Sequence, residues 1–118
     1  MATKYQGPAD ALAFYEALVA TQPDVERKGA KNPYTSRNGH MFSFLDEGGA
    51  MSLRLPAPER SAFIEKYDTR LSEQYGTIMK EYVVVPPSLL EDTASLFEYF
   101  EQSYTWIGTL KPKPTKGK

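Results

Sequence analysis

Apolar positions along this chain follow two periods, one helical and one alternating, and the switches between them divide it into elements. Leu12, Tyr15, Leu18 and Val19 recur at helical spacing. They predict a helix that Asp10 can cap and that runs to about Thr21 with one buried stripe. Pro23 and Asp24 end it. Val25 to Lys31 has only Val25 and Ala30 as apolar residues and reads as an extended connector or a poor edge strand. Asn38-Gly39 then separates Tyr34–Arg37 from His40–Leu45. This dipeptide supplies the positive φ angles of a two-residue hairpin turn. A second hairpin runs through Asp46-Glu47-Gly48-Gly49 into a strand where Met51, Leu53 and Leu55 alternate with Ser52 and Arg54. Phe42 and Phe44 are expected on that same buried face, with Met41, Ser43 and Leu45 opposite.

Pro56 stops the strand, and Pro58 suits the first turn of a helix carrying Phe63, Ile64 and Tyr67. Asp68 to Gly76 is polar and turn-like, with room for a short strand around residues 72–75. Met79 to Val85 is rich in β-branched and aromatic residues and predicts a strong strand, ended by Pro86-Pro87. Ser88–Glu91 has capping-box spacing over a single turn, and Asp92 offers a cap for a longer helix to about Leu110. Leu96, Phe97, Phe100, Tyr104 and Ile107 form the core stripe of that helix. Tyr99, Trp106 and Leu110 lie beside it and make the apolar arc wider than one contact needs. The extra width is either deeper burial or a surface for a second molecule. The whole predicts an α+β domain in two layers, an antiparallel sheet of four to five strands with helices on one face, in the order α-β-β-β-α-β-β-α. Residues 1–8 read as a flexible N-terminus, 9–110 as the single domain and 111–118 as a flexible tail.

Composition narrows the chemistry. With 118 residues, 41% hydrophobic and 25% charged, the chain has the make-up of one ordinary globular domain. It has no cysteine and one histidine, His40, which excludes disulfides, thiolate sites and multi-histidine metal centres. No apolar run approaches the roughly 20 residues that cross a bilayer. The first residues lack the apolar stretch of a signal peptide, so the expected location is cytoplasmic, with no membrane partner. Net charge is −1, but four lysines fall in the last eight residues, and the remainder carries a net −5. A body of that sign is a poor match for a phosphate backbone. Nucleic-acid contact would therefore lean on Lys111, Lys113, Lys116 and Lys118, with Lys28, Lys31 and Arg37. Lys28, Lys31, Tyr34, Ser36, Arg37, Asn38 and His40 together gather cations and hydroxyls around one hairpin, the best place for an anion or small ligand. Asp46-Glu47 and Glu91-Asp92 are explained by turn chemistry and capping. There is no phosphate loop, dinucleotide fingerprint or nucleophile elbow. No catalytic, metal or cofactor residues are expected.

The stretches Gly39-His40-Met41-Phe42-Ser43-Phe44-Leu45, Met51-Ser52-Leu53-Arg54-Leu55 and Met79-Lys80-Glu81-Tyr82-Val83-Val84-Val85-Pro86 resemble the N-terminal domain of the TfoX/Sxy family of bacterial competence regulators, as does the segment from Ser103-Tyr104 to Pro114. The resemblance covers about residues 30–114 and extends to the related MmcQ/YjbR-like proteins, whose plan is also seen in secretion-chaperone-like domains. The position of the family's Met-Phe-Gly-Gly-Tyr-Gly stretch is taken here by Gly29-Ala30-Lys31-Asn32-Pro33-Tyr34. The resemblance implies a small non-enzymatic cytoplasmic domain with a regulatory role. It carries no catalytic residue and no cofactor. The first expectation is a stand-alone module that binds another protein, or a second copy of itself as a homodimer, through Tyr99, Trp106 and Leu110. The second is a YjbR-like nucleic-acid-associated module. The third is an enzyme or small-ligand binder at the hairpin of residues 34–40.

Overall fold

The structure, a computed structural model, describes residues 5–29, 32–74 and 76–110. Its elements are α1 (Ala9–Ala20), β1 (Tyr34–Arg37), β2 (His40–Leu45), β3 (Met51–Arg54), α2 (Ala57–Tyr67), β4 (Leu71–Gln74), β5 (Thr77–Val85), α3 (Pro87–Leu90) and α4 (Thr93–Ile107). The five strands form one open antiparallel sheet in the order β1-β2-β3-β5-β4. The single turn α3 is the one element beyond the expected order. No described helix is long and apolar enough to cross a membrane.

Local chemistry sets most boundaries. Asn38 and Gly39 have φ of 56° and 80°, the left-handed pair that closes the β1–β2 turn. In the next turn the Asp46 carboxylate accepts from the amides of Gly48 and Ala50, both at 2.9 Å. Asp92 caps α4 by accepting from the Ser95 amide. The first helix differs from expectation. Pro8 occupies its cap position, and Asp10 lies inside the first turn, bonded to the Ala11 amide. Lys28 makes a single bridge to Tyr34, the remnant of an edge strand.

The core lies between the sheet and the helices. Phe42 of β2 meets Phe100 of α4 at 5.4 Å, and the Tyr15 hydroxyl of α1 bonds Ser43 of β2 at 2.7 Å. Tyr15, Leu18, Phe42, Leu53, Phe63, Val83, Leu96, Phe100 and Ile107 are all fully buried there. Burial of the neutral phenol raises the Tyr15 pKa well above its usual value. The Ser43 and Thr35 hydroxyls beside it, 2.5 Å apart, keep the polar atoms of this patch satisfied.

The expected division of β2 into faces is wrong, and the reason is a bulge. Thr35 pairs with Ser43 but Ser36 pairs with Met41, so Phe42 is an extra residue in the ladder. An inserted residue breaks strict alternation. Phe42, Ser43 and Leu45 are therefore buried, and Phe44 turns to the opposite face, where it stacks on Tyr82 at 5.8 Å. A second irregularity lies between β4 and β5. Leu71 pairs with Val83 and Ser72 with Met79, which leaves residues 80–82 of β5 without partners on β4. Such breaks interrupt the ladder locally and increase the strand twist there.

Candidate functional site

The residues expected to form an interaction surface on α4 have different fates. Tyr99 is absorbed into the α2–α4 contact. Its ring meets Phe63 edge-on at 5.0 Å and Tyr67 at 5.8 Å. The hydrogen bond to Tyr99, and then burial, raise the Tyr67 pKa. Leu110 lies just past the helix end, half-buried against the core. Trp106 is half-buried as well, packed against the core with part of it left accessible. It stands 5.4 Å from the Arg54 guanidinium, which is itself held by Glu81 at 2.6 Å. Trp106 walls a shallow depression of about 410 Å³ shared with Pro56, Glu59, Glu98, Glu101 and Thr105. Three carboxylates therefore line the same depression as Trp106, between α2 and α4. Gln22 of α1 donates to Glu101 at 2.5 Å and fixes that carboxylate from the far side.

The side-chain contacts of the described hairpin residues run to different places. Arg37 turns toward α4. It donates to the Tyr104 carbonyl at 2.8 Å and covers the Tyr104 ring at 4.1 Å. This cation serves the carbonyl-rich end of the helix. Gly108 permits the approach, because a Cβ there would collide with the guanidinium. Lys28 bonds Ser36 at 2.9 Å. Arg37 and His40 face each other in register across the turn. Tyr34 takes no part in this group and lines a separate cavity. Lys31, Lys111, Lys113, Lys116 and Lys118 lie outside the described residues. No group of three or more carboxylates and histidines converges to hold a metal among the described residues.

That separate cavity is a feature that the sequence reading missed. It lies on the sheet face away from the helices and measures about 690 Å³. Tyr34 and Phe44 come from the β1–β2 side of the sheet, and Gln74, Thr77 and Met79 come from the β4–β5 hairpin. β1 and β4 are the edges of the sheet, but β2 and β5 flank β3 and lie only two strand spacings apart, roughly 10 Å in a flat sheet. Tyr82 of β5 stacks on Phe44, one of the lining residues. Its hydroxyl donates to the Met41 carbonyl at 2.6 Å, and burial raises its pKa. The small Ser52 lies between Phe44 and Val84 on this face and bonds Ser72 at 2.7 Å. Asp46 and Glu47 stand at one end of the cavity. The pattern offered one usable signal, since Ser52 and Ser72 are too small to cover a sheet face.

No family model matches the chain, and neither a curated protein nor a solved structure matches it.

Proposed function

We propose that this chain is a non-enzymatic binding module of the TfoX N-terminal and YjbR-like kind, and that it docks a partner protein through the Trp106 depression. The single observation that carries this reading is a half-buried tryptophan that shares a surface depression with Glu59, Glu98 and Glu101. A tryptophan edge provides a large contact with little entropy to lose, and the carboxylates set the sign of what fits. The partner is a protein presenting an apolar side chain flanked by lysine or arginine. The same geometry ranks a homodimer through this face lower, because two copies would oppose like charges. The order of elements, with only one helical turn added, supports the family resemblance.

The test is affinity capture from the native source with the full chain and with the double variant Trp106→Ala, Glu98→Lys. A partner retained at low salt by the unaltered chain and lost by the variant supports the reading. Equal capture by both chains refutes it. A concentration series by light scattering separates self-association. A dimer that Trp106→Ala leaves intact also counts against this face.

A further inference from the structure

The cavity on the outer face is independent of the Trp106 depression, and its lining has a definite chemical character. Its volume of about 690 Å³ falls within the ordinary range of ligand pockets. Its walls are aromatic and thioether groups from Tyr34, Phe44, Met41 and Met79, with amides and a hydroxyl from Asn32, Gln74 and Thr77. Its charged residues are Asp46 and Glu47, and no lysine, arginine or histidine stands among the described residues that line it. The two amides that bond the Asp46 carboxylate hold it in one place. The nearby Tyr5 hydroxyl donates to the Asp46 carbonyl at 2.9 Å. Burial, and then the charges of Asp46, Glu47 and Asp10, raise the Tyr5 pKa.

We infer that this cavity binds a small amphipathic organic cation, with its ammonium group at Asp46 and Glu47 and its apolar or aromatic body against Phe44, Tyr34 and Met79. Aromatic faces and carboxylates attract the same ligand charge, and both disfavour an anion of the same shape. The apolar lining takes the ligand's body, and the carboxylates set its orientation. Thr77, at the start of β5, lines the cavity and is exposed.

The experiment is a titration of the full chain, followed by amide NMR, with 2-phenylethylammonium and with 3-phenylpropionate as its anionic counterpart. A ligand this small binds in the millimolar range, so titration extends to about 10 mM. The expected result is saturable shifts at Tyr34, Phe44, Thr77 and Met79 with the ammonium, and binding at least about tenfold weaker with the carboxylate. Glu47→Gln, at an exposed position, is expected to weaken the ammonium by about two- to fivefold, the size of one exposed charge pair. Thr77→Trp places a large ring in the cavity lining from an exposed site that the core does not use, and is expected to abolish the shifts. No shift at the cavity, equal binding of the two probes, or unchanged binding to the Thr77→Trp chain would each overturn the inference.

Discussion

The two faces of the sheet are made from the same five strands and finish in opposite states. On the helix side, Phe42 is fully buried against Phe100, and Tyr15 is sealed with Ser43 and Thr35. On the outer side, the neighbouring Phe44 is half-buried, stacks on Tyr82 and looks into a cavity. One inserted residue separates the two environments. The difference shows that a bulge does more than bend a strand. It moves an aromatic ring from a position where it holds the fold together to one where it can meet a ligand.

The sharpest way to break this comparison is to truncate each ring. Phe42→Ala is expected to cost about 3–5 kcal/mol, since a fully buried ring is lost and a cavity is left. Phe44→Ala is expected to cost about 1–2 kcal/mol, because a half-buried ring gives up less transfer energy. Urea unfolding of both variants measures the gap. If Phe42→Ala does not fold, Phe42→Leu against Phe44→Leu gives the same ranking on a smaller scale. Equal losses would mean that the outer face is as tightly packed as the inner one.

Much of the helix-side architecture was legible because it rests on local rules. The stripe on α4, the Asn-Gly turn, the Pro56 and Pro86 stops and the Asp92 cap each depend on residues within a few positions of one another. Phe42 could not be placed by such rules. Alternation assigns it to one face with Phe44, and only the pairing of Ser36 with Met41 reveals the inserted residue. That pairing depends on tertiary contact, which a single sequence does not display. The cavity was hidden for the same reason, since Tyr34 and Met79 come to one cavity only through long-range strand pairing. The surplus arc of α4 was visible, but its division was not. Tyr99 packs edge-on against Phe63 of α2, and the half-buried Trp106 lines a depression instead. In the cationic hairpin, Arg37 is engaged by the Tyr104 carbonyl, a long-range contact that the sequence does not display.

A smaller effect tests the same contrast through hydroxyl groups. Tyr15→Phe removes a buried partner of Ser43 and is expected to cost about 1 kcal/mol at neutral pH. Tyr82→Phe leaves the half-buried Met41 carbonyl without that donor, and about 0.5 kcal/mol is expected because water can replace it. Alkaline titration separates the two more clearly. An unfolded tyrosine releases its proton near pH 10, and the buried phenol of Tyr15 holds its own to a higher pH. Stability from this group is therefore intact below about pH 10 and falls as pH rises toward the folded value, because only the unfolded chain gains the charged form cheaply. Tyr5, Tyr67 and Tyr82 are raised in the same direction and add to the slope. Replacing Tyr15 is expected to flatten the alkaline limb of a stability curve between pH 9 and 11.5 more than replacing Tyr82, whose shift the Arg54 charge restrains. Unfolding free energies of the three chains across that window decide the matter, and a larger change from Tyr82→Phe would place the drier environment on the outer face.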